Sequence, residues 1–109
     1  MGKFEIKSSA SDKCMFNLKA DNGQVILTSQ SYTSKDGCKN GIESVRKNSE
    51  SDAQFERKTA KDGSPFFTLN ATNGQVIGKS EMYSSKEAME KGIASVKKNA
   101  PGAEITDNT

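Results

Sequence analysis

The chain has 109 residues, of which 32% are apolar and 28% charged, and sixteen Lys and Arg against fourteen Asp and Glu leave a net charge of +2. This length suits one small core, and the near-balance of well-mixed charges argues against an obligate polyanion binder. The absence of histidine removes the commonest general base and metal ligand at neutral pH, so Ser-His and Cys-His nucleophilic pairs are excluded.

In chain order, Phe4 and Ile6 alternate with charged residues and predict an opening strand. A second strand follows, with Phe16 and Leu18 on one side and Met15, Asn17 and Lys19 on the other. Asn22-Gly23 then marks a hairpin, where glycine accepts the positive φ of the turn. A two-residue loop places Leu27 opposite Leu18; a three-residue loop with a left-handed Gly places Ile26 there. The three-residue loop is favoured, because Ile26 recurs later as Ile77 whereas Leu27 gives way to Gly78.

Thr33-Ser34-Lys35-Asp36 resembles a capping box, with the acid three residues after Thr33, and Tyr32 before it suits a hydrophobic staple. Cys38, Gly41, Ile42 and Val45 then share one helix face. Glycine costs a helix about 1 kcal/mol relative to Ala, so Gly41 implies a close approach of helix to sheet. Asn48, which tolerates a left-handed cap, ends the helix.

The plan then begins again. At an offset of about 51 residues, Phe4-Glu5 falls on Phe55-Glu56, Phe16 and Leu18 on Phe67 and Leu69, and Asn22 to Ile26 on Asn73 to Ile77 unchanged. Tyr32, Ser34 and Lys35 fall on Tyr83, Ser85 and Lys86; Gly41-Ile42 and Ser44-Val45 fall on Gly92-Ile93 and Ser95-Val96. The first repeat spans about 3–54 and the second about 54–109, together expected to make a single pseudo-two-fold domain over 1–109. No spacer separates the copies, so the segment Asp52 to Lys58 is expected to be one continuous strand serving both. Ala53-Gln54-Phe55 also aligns, shifted by one, with Ala103-Glu104-Ile105 at the end of the second copy. The expected fold is α+β: tandem β3-α-β repeats in one mostly antiparallel sheet, with both helices on one face.

The NGQVI turn, the Y-[ST]-S-K helix start, the GI-x-SV helix core and the closing Lys-Asn resemble the YegP-like family of bacterial proteins, in its duplicated form. The resemblance runs from about Phe4 to Thr109. It implies a β3-α-β unit used twice, with the closing strand exchanged between units. It brings no activity, cofactor or catalytic residue.

Candidate sites are few. Cys14 and Cys38 align with Pro65 and Met89, so neither thiol belongs to the repeated plan; both read as small apolar fillers in a reducing cytosol. No apolar stretch has signal-peptide or membrane-spanning character, and a cytoplasmic location is expected. No cofactor or metal site is expected. The sheet face opposite the helices is the first candidate contact surface, with Met15, Asn17, Lys19, Phe66, Thr68 and Asn70 upon it. The second is a basic helix surface: Lys35, Lys39, Arg46 and Lys47 in one repeat, Lys86, Lys91, Lys97 and Lys98 in the other. These cations fit a solvated helix face as well as a polyanion contact. The favoured function is a non-enzymatic interaction module that binds a macromolecule or itself through the sheet face. The alternatives are a weak nucleic-acid binder using the helix lysines, and an enzyme of unknown type.

Overall fold

The computed structural model describes residues 2–9 and 12–108. Strands β1 (Lys3–Ser9), β2 (Lys13–Lys19) and β3 (Val25–Thr28) precede helix α1 (Lys35–Asn48); β4 (Phe55–Thr59), β5 (Pro65–Asn70) and β6 (Val76–Lys79) precede α2 (Lys86–Asn99), and β7 (Glu104–Asp107) closes the chain. All seven strands form one sheet in the order β4-β5-β6-β3-β2-β1-β7. Every pairing is antiparallel except β1 with β7. The fold is therefore α+β, as the periodicity implies. No helix among the described residues is long and apolar enough to cross a membrane.

Alternation explains which side is core. Phe4, Ile6, Phe16 and Leu18 are fully buried beneath α1, and Phe67 and Leu69 beneath α2. Each such side chain contributes about 1.5–3 kcal/mol on burial. The helices also cross the boundary between repeats: α1 packs on β2 and reaches β6, and α2 packs on β5 and reaches β3. One continuous core results.

The hairpins have the expected three-residue loop. Ala20 N–H donates to the Gln24 carbonyl at 2.9 Å, and Gly23 sits at φ 84°. Gly74 repeats this at φ 88°. The inferred register does not follow, however, because a β-bulge lies just beyond the loop. Val25 pairs with Lys19 and Leu27 with Leu18, so Ile26 is the extra residue. Leu27, not Ile26, is the core residue opposite Leu18.

The replacement of Leu27 by Gly78 has a steric reason. The pseudo-dyad passes between β3 and β6, which bring these two positions together. A Cβ on Gly78 would lie 2.7 Å from the Leu27 Cγ and Cδ2 atoms. One leucine fills the space for both copies.

Two local expectations are corrected and a third is filled out. The N-caps are Ser34 and Ser85, whose hydroxyls accept from the Gly37 and Ala88 amides at 3.0 and 3.1 Å. Thr33 therefore starts no capping box, and the acids fall one position early. Asn48 and Asn99 end their helices, but the next residues, Ser49 and Ala100, are right-handed. The Asn side chains instead donate back to the Ser44 and Ser95 carbonyls at 2.8 Å. Gly41 and Gly92 allow the close approach to the sheet, where a Cβ would lie 3.0 and 3.2 Å from the Phe16 and Phe67 rings, and they also make room for the Tyr32 and Tyr83 hydroxyls, which lie nearer still. Each tyrosine ring stacks on the phenylalanine below it, with centroids 6.2 Å apart.

The segment Asp52 to Lys58 is not one strand serving both copies. Asp52–Gln54 is a 3-10 turn, β4 begins only at Phe55, and β4 pairs with β5 alone. Ala53 is exposed whereas Ala103 is buried. At the other end of the sheet, β7 of the second repeat does join β1 of the first.

Candidate functional site: the open face of the sheet

The face without helices is built from the other half of every alternation. Met15, Asn17 and Lys19 on β2 and Phe66, Thr68 and Asn70 on β5 lie there, as their registers with Lys7, Glu5, Lys58 and Glu56 require. Their availability differs. Asn17 is 8% and Thr68 4% exposed, because neighbouring strands crowd the middle of the sheet. Thr28 donates to Asn17 at 2.9 Å and Thr68 to Asn70 at 3.1 Å, so these polar groups are already satisfied. Met15, Phe66, Lys19 and Asn70 are half-buried.

Alternation places further lysines on this face beside Lys19: Lys3, Lys7, Lys13, Lys58 and Lys79, none of which the repeat comparison singled out. Among the described strand residues, Lys3, Lys7, Lys13, Lys19, Lys58 and Lys79 thus face outward, against Glu5, Glu56 and Glu104. The readable signal was lysine at the alternate positions of strands whose other side is core. Lys7 and Lys19 both reach Glu5 at 3.2 Å, holding its carboxyl below the usual range. Lys58 meets Glu56 at 3.3 Å. The Lys79 ammonium sits 5.0 Å from the centroid of Phe66, a cation–π contact on the open surface.

The helix cations are divided. Arg46 lies 5.6 Å from the Phe4 ring centroid and donates to the Ala103 carbonyl; Lys97 lies 5.7 Å from Phe55 and meets Asp52 at 2.6 Å. Lys35 bridges to Asp107 at 2.9 Å. These three tie the chain together. Lys39, Lys47, Lys86, Lys91 and Lys98 are exposed, and of these Lys91 makes a loose 3.9 Å pair with Glu87. Three of the eight cations are thus engaged within the chain and five are exposed on the helix surfaces.

Other chemistry is sparse. Cys14 and Cys38 are free thiols, and burial pushes Cys38 up to about 11, which makes it a poor nucleophile. Among the described residues no three of His, Cys, Asp or Glu gather where a metal ion could be held. A cleft of about 320 Å³ between the β2–β3 turn and α2 is lined by Asp21 and Asn22 on one side and Lys91, Ser95 and Lys98 on the other.

The chain matches the family model described as a domain of unknown function, DUF1508, twice, over residues 9–56 and 60–107. It is 56% identical to a UPF0339 protein of Bordetella pertussis over 108 residues, covering 99% of this chain and 96% of that protein. It is 47% identical to the UPF0339 protein YegP of Escherichia coli, covering 99% of this chain and 98% of that one. Among solved structures, the solution NMR structure of a Shewanella oneidensis UPF0339 protein superposes with a TM-score of 0.92 at 48% identity, covering 97% of this chain and 90% of that one. The NMR structure of the E. coli protein superposes at 0.94 with 47% identity, covering 99% and 93%.

Proposed function

From the premise that this chain belongs to the UPF0339 proteins built of tandem DUF1508 units, a family that assigns no reaction, we propose that it is a non-enzymatic cytoplasmic interaction module whose open sheet face contacts a macromolecule or a second copy of the chain. The observation that carries this reading is the charge segregation on that face. Six lysines and three glutamates surround the half-buried Met15 and Phe66, whereas the whole chain carries only +2. A rigid cationic rim around apolar side chains is the composition of a surface that meets a negatively charged partner. The non-enzymatic part rests on the lack of histidine and on glutamates already paired with lysines.

A nucleic-acid partner is the second reading. Lys79 above Phe66 favours it, since a base stacked on the ring would place a phosphate near the ammonium. It draws on Lys79 beside that ring together with the exposed helix lysines Lys39, Lys47, Lys86, Lys91 and Lys98.

The test is capture from a native bacterial lysate with and without nuclease, using the wild type and the Met15→Ala/Phe66→Ala double variant. Each substitution should cost about 1 kcal/mol of stability, since both residues are half-buried. The double variant should stay folded and lose its partner. Retention of every partner by the folded variant rejects the sheet face. Loss of capture on nuclease treatment, with a steep salt dependence, selects the nucleic-acid reading.

A further inference from the structure

The two ends of the sheet are built from the same repeated strand and finish differently. At one end β7 lies parallel to β1, with Lys3 facing Glu104 and Ile6 facing Asp107, and the Asn108 amide donates to the Ile6 carbonyl at 2.8 Å. Two cations of α1 hold that strand: Lys35 on Asp107 and Arg46 on the Ala103 carbonyl. At the other end β4 takes the place of β1, pairs with β5, and is the last strand of the sheet. The Phe67 and Pro65 backbone groups bond toward Ser80 and Tyr83. Antiparallel alternation then turns the N–H and C=O groups of their partners, Arg57 and Thr59, outward from the sheet.

The groups that would receive a strand are present at this edge. Lys86 stands where Lys35 stands in the first repeat, is exposed, and borders a cleft of about 240 Å³ between the β4 edge and α2. Arg57 occupies the place of Ile6. Its guanidinium meets Glu90 at 2.6 Å and Asp52 at 3.1 Å, both carboxyls being held below their usual range. A charge at this position disfavours an apolar strand. Pairing of two copies through β4 centred on Arg57 would set arginine against arginine. Of the cations that line the cleft, Arg57 is engaged by Glu90 and Asp52 and Lys58 by Glu56, so Lys86 is the one positioned to take a carboxylate.

We infer that the outer edge of β4 is a docking site for an extended acidic segment of a partner protein, added to the sheet in parallel as β7 adds to β1. Its backbone bonds with Arg57 and Thr59 while a carboxylate meets Lys86, as Asp107 meets Lys35 at the other end. This edge is separate from the open face, so its test stands apart from the reading above.

The probe is a synthetic peptide with the sequence of residues 102–109, the segment that contains β7, titrated into the full-length isotope-labelled protein and followed by NMR. A control peptide carries Gln for Glu and Asn for Asp. Amide shifts should centre on Arg57, Thr59 and Lys86, the control should bind more weakly, and Lys86→Glu should weaken the peptide about fivefold. Shifts at Phe4 and Ile6, which signal displacement of β7, would overturn the inference, as would shifts confined to the open face or none at millimolar peptide. Concentration-dependent shifts at Arg57 without peptide would overturn it in favour of self-association.

Discussion

Ile6 and Arg57 hold the same position in two copies of one strand, and their surroundings differ completely. Ile6 is fully buried, with α1 above it and β7 alongside. Arg57 is exposed on the last strand of the sheet, held by Glu90 and Asp52. Leu27 and Gly78 form a second unequal pair, at the centre of the sheet, where only one large side chain fits. Duplication copies a local plan, but one chain has only one centre and two unlike ends. The residues that depart from the repeat are those for which the copied environment is not the same.

The largest effects should come at the centre. Leu27→Ala should cost about 2–5 kcal/mol in urea unfolding, since it empties space used by both copies. Gly78→Ala alone should cost about 1–3 kcal/mol by pressing on Leu27. The double variant Leu27→Ala/Gly78→Leu should recover part of the loss by refilling the same volume from the other strand. If Gly78→Leu is neutral in the wild-type background, the single shared space is not there.

At the ends the comparison predicts inequality. Ile6→Ala should cost about 2–5 kcal/mol, as for any fully buried Ile. Arg57→Ala should cost about 1 kcal/mol or less, because its ion pairs are exposed. Equal costs would mean that the two ends are equivalent after all.

Much of this was legible in the sequence. The constant offset exposed the repeat, the Asn-Gly pairs located the turns, and the spacing of Cys38, Ile42 and Val45 located the buried face of α1. What escaped depended on contacts distant in the chain. The bulge at Ile26 re-phases β3 without a local signature. The meeting of Leu27 with Gly78 requires the β3–β6 pairing. Ser34 rather than Thr33 caps α1, and adjacent hydroxyls leave that choice to the geometry of the helix start. Gly41 also makes room for the Tyr32 ring, which arrives from outside the helix. On the candidate face, Asn17 and Thr68 have the right orientation but are crowded and hydrogen-bonded, while of the outward lysines Lys19 alone was singled out. The substitution of Arg57 for Ile6 was visible at the offset; its meaning needed the position of β7.

A smaller effect concerns pH. The Asp52 carboxyl is held below its usual range of about 3.8 by Lys97 first and then Arg57. A depressed carboxylate adds stability above its unfolded pKa, and that contribution disappears as pH falls through the folded value. Thermal melts should therefore show Asp52→Asn slightly less stable than wild type at neutral pH, with the difference shrinking below about pH 3.8. A difference that grows on acidification would contradict the assignment.

Native-state amide hydrogen exchange compares the two ends most directly. The Ile6 amide faces β7 in the parallel ladder, whereas the Arg57 and Thr59 amides face outward from β4. In the isolated protein, Arg57 and Thr59 should exchange at least about tenfold faster than Ile6, although all three lie within strands. Equal, strong protection of Arg57 and Ile6 in a dilute monomer would show that the β4 edge is already covered, and the asymmetry between the two ends would have to be abandoned.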